Sequence, residues 1–116
     1  MVEVIGTAVF EAWYLALGEK DTDAVDFGVG LLEERGAALP FPYCSAIRDS
    51  RYPLRELRIQ SGGRPIRVLY AFDPRRRAVL LIGGDKTGDE RFYRRMVRFG
   101  EKLWVEYLAS LQGGES

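Results

Sequence analysis

Two glycines, Gly62 and Gly63, separate the segments 54-LRELRIQ-60 and 65-PIRVLYAF-72. A turn centred on them sets Gln60 against Pro65 and Arg58 directly against Arg67. Like charges facing each other on a sheet cost up to about 1 kcal/mol. A chain keeps such a pair when both are solvated, when an acid neutralises them, or when an anion completes the site. Glu56 lies two residues before Arg58 on the same face. It can close an internal Glu56–Arg58–Arg67 network, and it is also a candidate base.

The next segment, 78-AVLLIGG-84, follows the turn 73-DPRRR-77, and a turn centred near Arg75 brings Arg67 opposite Gly83. Glycine inside a strand marks a close approach by a ligand or another backbone. Gly83 and Gly84 therefore read as a shallow floor beside the arginines, with Lys86 at its rim and Tyr93 hanging over it. That is the outline of an anion pocket. Histidine is absent, which removes the commonest general base and the commonest metal ligand. Tyrosine and lysine, with ordinary pKa values of about 10 to 10.4, need a cationic or buried setting to act as a base at neutral pH. Two other motifs carry less. In 83-GGDKTG-88, Asp85 occupies the place of the second glycine of a phosphate loop. Asp85, Asp89 and Glu90 stand among arginines and read as capping and ion-pair groups rather than a metal site.

These residues need elements to hold them. VEVIGT over 2–7 alternates as a short first strand. Phe10, Trp13, Tyr14 and Leu17 mark one helix face, and Ala24, Val25, Gly28, Leu31 and Leu32 a second, with Asp21 as its N-cap and Gly36 as its end. The connection 39-LPFPYC-44 is irregular. Three antiparallel strands then form a meander. From Asp89, an N-cap, Phe92, Met96, Phe99, Leu103, Tyr107 and Leu111 recur at helical spacing, with Trp104 packed among them. The order is β-α-α-β-β-β-α, an α+β fold with two helices on one face of a small antiparallel sheet and the last helix at its edge or other face. Residues 1–111 form one domain and 112–116 a disordered tail.

A chain of 116 residues with 47 % hydrophobic and 29 % charged residues is long enough for one core and is not a disordered composition. Its N-terminal stretch has no secretion-signal pattern and no run reaches the length of a membrane span. Cys44 is alone, which excludes a disulfide framework and a multi-thiolate site and points to the cytoplasm. The net charge of zero conceals an asymmetry. Residues 1–47 carry eight acids and two bases, and residues 48–102 carry fifteen bases and seven acids. Fourteen of the seventeen bases are arginine, whose planar fork suits phosphate and carboxylate. Either the basic half neutralises the acidic half of the same chain, or it forms an anion-binding face.

The strings 54-LRELR-58, 63-GRPIRVLYAFDPRRRAVLLIGGDK-86 and 90-ERFYRRM-96 resemble RelE/ParE-superfamily toxins of type II toxin–antitoxin modules, in the HigB-like, phage-derived branch. The resemblance spans essentially the whole chain. It implies a cytoplasmic, cofactor-free and metal-independent endoribonuclease that cuts mRNA in the ribosomal A site by attack of the 2′-hydroxyl on the adjacent phosphate. It also implies neutralisation by a helix-turn-helix antitoxin. On that likeness Arg58 and Arg67 would hold phosphate, Lys86 phosphate or leaving-group charge, and Tyr93 a stacked base or a proton. Arg55, Arg64 and Arg91 would be secondary RNA contacts. Two alternatives share the resemblance: a ParE-like gyrase inhibitor without nuclease activity, and a catalytically weak module that keeps antitoxin binding.

Overall fold

A computed structural model describes residues 1–113. Its elements are β1 (Val4–Gly6), α1 (Ala8–Leu15), α2 (Glu19–Arg35), a 3-10 turn (Gly36–Ala38), β2 (Cys44–Ala46), β3 (Arg55–Ser61), β4 (Arg64–Phe72), β5 (Ala78–Asp85) and α3 (Phe92–Gly113). The α+β class holds, with one strand more than the sequence pattern marks. β2 is three residues long, too short to show a period, and it is recognised only by its pairing with β3. Of the tail expected over 112–116, residues 112 and 113 continue α3, and 114–116 lie outside the described residues.

Local chemistry explains most element ends. Thr7 caps α1, its Oγ1 accepting the Phe10 N–H at 3.0 Å while donating to the Leu81 carbonyl at 2.8 Å. Gly36 ends α2 at φ +56°, a conformation that favours glycine. The N-cap of α2 is Gly18 and not Asp21. Asp21 falls in the first turn, where its carboxylate accepts from Ser61 Oγ at 2.6 Å and from Arg64. Asp89 accepts the Arg91 N–H at 3.1 Å and so opens the turn leading into α3.

The sheet order is β1-β5-β4-β3-β2, with β1 parallel to β5 and every other pair antiparallel. Gly62 and Gly63 take φ of +58° and +79°, and Arg58 pairs with Arg67 as the turn chemistry predicts. The β4–β5 register differs from expectation by one residue. Phe72 pairs with Ala78 and Tyr70 with Leu80, but a bulge then places Ile82 opposite Leu69 and Gly84 opposite Arg67. One extra residue on β5 returns its later side chains to the opposite parity.

That slip decides what the two glycines do. Gly83 faces α1, and a Cβ there would overlap the Trp13 ring. Gly84 faces α3, and a Cβ would stand 2.9 Å from Phe92 Cε2 and 3.3 Å from Met96 Cε. The expected ligand floor is therefore filled by the protein's own side chains. The glycines admit close packing of two helices on opposite faces of one strand.

α1 and α2 cover one face through Phe10, Val25 and Leu32 on Leu57, Ile59, Ile66, Val68 and Tyr70. α3 covers the other through Leu103 and Trp104 on Leu54, Ala71, Val79 and Leu81. The far end of α3 is tied to the β4–β5 turn. Buried Asp73 accepts the backbone N–H groups of Arg75 and Arg77, Arg77 Nε at 2.8 Å and Tyr107 O–H at 2.7 Å. Burial alone would push the Asp73 carboxyl up, but the bonds from Arg77 and Tyr107 outweigh it and hold the group below the usual range. Asp21 and Asp85 are also held down, Asp21 by Arg64 and Ser61, and Asp85 by Thr87 and then Arg64.

Two stability predictions follow from this packing. Gly83→Ala is expected to cost about 1–3 kcal/mol, because Trp13 must leave its rotamer, read as a lower urea midpoint at unchanged slope. Gly30→Ala in α2, with nothing within 4 Å of the added Cβ, is expected to stabilise by roughly 0.5–1 kcal/mol. Depressed carboxyl pKa values give stability that is complete above the ordinary carboxylate range and lost as pH falls through the folded values. Asp73→Asn is accordingly expected to cost about 1–3 kcal/mol at neutral pH and to flatten the loss of melting temperature below about pH 4.

Candidate functional site

The facing arginines do not converge on an empty hollow. Both turn to the carboxylate of Glu56, which shares their face of the sheet and lies under the first turn of α3. Arg67 Nε is 3.4 Å from Glu56 Oε1, and Arg58 Nη1 is 3.5 Å from Oε2. Tyr93 O–H donates to Oε1 at 2.6 Å, and Ser45 Oγ donates to Oε2 at 2.8 Å. Glu56 is 5 % exposed and Arg67 4 %. The internal Glu56–Arg58–Arg67 network anticipated from spacing is present, but Glu56 and Arg67 are buried rather than on the surface, because α3 and β2 close over them.

The four contacts differ in kind. Arg67 Nη1 donates to the Ile66 carbonyl at 3.1 Å, so the guanidinium is anchored to the strands. Its Nε lacks hydrogen-bond geometry to any acceptor among the described residues. Arg67 therefore supplies countercharge without fixing the orientation of the carboxylate. Tyr93 and Ser45 fix it, one on each oxygen. Burial first, and then the bond to Glu56, push the Tyr93 phenol up, with Arg67 working against both. At neutral pH the phenol keeps its proton and donates, and the carboxylate is the acceptor of the pair. Lys86 stands over the Tyr93 ring with its ammonium 5.3 Å from the centroid, a cation–π contact. Arg58 keeps 30 % of its side chain exposed and lies 5.4 Å from the Phe41 centroid.

Glu56 and Tyr93 open onto a cleft of about 540 Å³ between the β2–β3 connection and α3. Ala46, Ile47, Arg48, Asp49, Arg94, Val97, Arg98 and Glu101 complete its lining. Its walls carry both charges, three arginines against three carboxylates, over an apolar base of Ile47 and Val97.

Other residues singled out in the sequence lie elsewhere. Arg55 points to the α1–α2 side of the sheet, where Nη2 is 3.4 Å from Cys44 Sγ, because it is one residue out of phase with Glu56 and Arg58. Arg64 sits at the hairpin tip, paired with Asp21 and, at 2.7 Å, with Asp85. It joins the acidic first half of the chain to the basic second half and is already neutralised. Arg91 is exposed just ahead of α3. Sequence reasoning missed Ser45, Arg48, Arg94 and Arg98. The first sits on a strand too short to recognise. Arg94 and Arg98 carried a legible signal, since they are one turn apart on the helix that bears Tyr93.

The pattern of the family "Phage derived protein Gp49-like" matches residues 12–105. The chain is 38 % identical over 106 residues to "Putative toxin HigB3" of Mycobacterium tuberculosis, covering 90 % of this chain and 91 % of that protein. It is 35 % identical over 104 residues to "Putative toxin HigB2" of the same organism, covering 87 % of this chain and 52 % of that protein, about half its length. The chain belongs to the phage-derived Gp49-like family, in its HigB-like branch.

Proposed function

We propose that this HigB-like protein is the toxin of a type II toxin–antitoxin module and cleaves mRNA in the ribosomal A site. The observation that carries the reading is a buried carboxylate, Glu56, held at the head of a cleft by a phenol and two guanidinium groups. RNA cleavage by its own 2′-hydroxyl needs an acceptor for that proton, a donor for the departing 5′-oxygen, and positive charge around the pentavalent phosphorus. Glu56 takes the proton as the 2′-oxygen bonds to phosphorus. Tyr93, protonated at neutral pH, or the Lys86 ammonium beside it, returns one as the P–O5′ bond breaks. A 2′,3′-cyclic phosphate and a free 5′-hydroxyl result. Arg58, partly exposed beside the carboxylate, and Arg67 beneath it supply the positive charge.

A second reading has its own support. With both oxygens of Glu56 engaged, the chain could be a catalytically weak module that retains antitoxin binding. The ribosome-bound substrate would have to displace the Tyr93 bond for the first reading to hold. In either case the partner is a helix-turn-helix antitoxin, and the acidic, amphipathic segment expected of it suits the arginines and the apolar groove beside Arg58, lined by Phe27, Leu31 and Tyr43.

Primer extension on an mRNA under translation separates these readings. Wild-type protein is expected to give codon-positioned cuts, and Tyr93→Phe to reduce them by roughly 10²- to 10⁴-fold. The variant loses only the bond to Glu56 Oε1, a cost of about 1–3 kcal/mol that leaves the protein folded. Glu56→Gln is expected to abolish cutting, but it strands Arg67 and costs about 3–5 kcal/mol, so Tyr93→Phe is the cleaner test. Cuts that persist at full rate in Tyr93→Phe remove its assigned role. No cuts, with inhibition of gyrase supercoiling, would place the chain with the ParE-like inhibitors. No cuts and no supercoiling effect, with tight antitoxin binding, would leave the binding module.

A further inference from the structure

The exposed face of α3 carries a charge pattern that the fold itself disfavours. Arg91, just ahead of the helix, and Arg94, Arg95, Arg98 and Lys102 on it fall at i, i+3, i+4, i+7 and i+11, so they lie on one side. Like charges at these spacings repel. Three of the five flank the helix N-terminus, where the macrodipole favours acids, and the first turn contains none. Arg95 pairs with Asp89. Arg91, Arg94, Arg98 and Lys102 have no carboxylate within ion-pair distance among the described residues.

Beside this stripe, Phe99 is 45 % exposed. It lies in a hollow of about 680 Å³ whose lining is Ile82, Met96 and Phe99 among Arg95, Arg98 and Lys102. Arg94 and Arg98 line both this hollow and the cleft that holds Glu56 and Tyr93. They form the ridge between the two. Tyr93 and Phe99 are separated by about 9 Å along the helix axis, within the reach of one or two nucleotides.

We infer that this face of α3 is a binding track for single-stranded RNA, in which Phe99 stacks an unpaired base and Arg94, Arg98 and Lys102 hold consecutive phosphates leading into the Glu56 cleft. The inference rests on the nuclease reading of that cleft and adds the surface that delivers the strand to it. Cations around an exposed aromatic ring are what an unpaired strand requires. The cleft discriminates against the other polyanion such a stripe could attract. An acidic peptide entering it would meet Asp49, Glu56 and Glu101. Ribose hydroxyls and base amino groups can donate to those same carboxylates while the phosphates stay on the arginines.

The test is fluorescence anisotropy of a labelled single-stranded RNA of about 12 nucleotides with the intact protein, without ribosomes, over a range of salt. Wild type is expected to bind with log K falling linearly in log salt. The triple variant R94A/R98A/K102A is expected to bind at least tenfold more weakly, with a slope shallower by about 2, from about 0.7 per phosphate lost on a single strand. Phe99→Ala is expected to weaken binding about tenfold, leave the slope unchanged, and leave binding to the same sequence as a duplex unchanged. All four side chains are exposed, and unaltered melting curves establish that the variants fold. Unchanged affinity in both variants, or no binding by wild type at low salt, overturns the inference. So does dependence on these residues for an acidic amphipathic peptide but not for RNA. RNA bound through this face with no cleavage under translation would sink the nuclease reading and leave the track standing. Cleavage by wild type, with unchanged RNA affinity in the triple variant, would do the reverse.

Discussion

One buried negative charge organises this molecule. The hairpin register forces Arg58 and Arg67 into direct opposition on one face of the sheet, and with Arg67 4 % exposed solvent cannot neutralise the pair, so an anion must lie beside it. Glu56 provides it from the same strand. Once that carboxylate is in place it must itself be satisfied, because α3 and β2 leave it only 5 % exposed. Ser45 and Tyr93 do so from the two elements that close over it. The site and the packing of α3 on the sheet are therefore one arrangement. Tyr93 reaches Glu56 only because Phe92 and Met96 can settle against Gly84.

Removing either member of a buried ion pair costs more than the pair itself contributes, and an apolar substitute of similar shape is often no less stable. A fold needing only stability could fill this space with leucine and valine. Arg67, 4 % exposed, with one donor that lacks a hydrogen-bond acceptor, is an expensive way to fill a core. Its retention is intelligible if a carboxylate must be held beside the cleft. The reading of Glu56 as a proton acceptor supplies that reason.

Much of this was legible in the sequence, and the failures have identifiable causes. Gly62–Gly63 fixed one register because only one turn geometry accommodates two consecutive positive φ angles. The same logic at 73-DPRRR-77 was right as far as Tyr70–Leu80 and failed beyond it. The run AVLLI is apolar throughout, so no alternation marks the bulge, and Gly83 and Gly84 were given a ligand in place of two aromatic rings. The burial of Glu56 depends on a helix some forty residues away in sequence, which no local pattern encodes. The charge asymmetry posed a choice between internal neutralisation and an anion-binding face. Internal neutralisation accounts for part of it, since Arg64 ties Asp21 to Asp85, while Arg91 and three bases on α3 have no carboxylate within ion-pair distance among the described residues.

That division separates what the arginines do for the fold from what they do at the surface. Arg64, Arg67 and Arg77 each meet an aspartate or glutamate, and their positions follow from satisfying a carboxylate that folding would otherwise desolvate. Arg94 and Arg98 meet no carboxylate among the described residues and oppose the helix that carries them. A helix can bear a few tenths of a kcal/mol per repulsive pair because Leu103 and Trp104 bury its other face and Asp73 clamps it through Tyr107. The apolar face and the clamp thus hold α3 in place while its outer surface stays electrostatically unfinished, which is what the proposed RNA track requires.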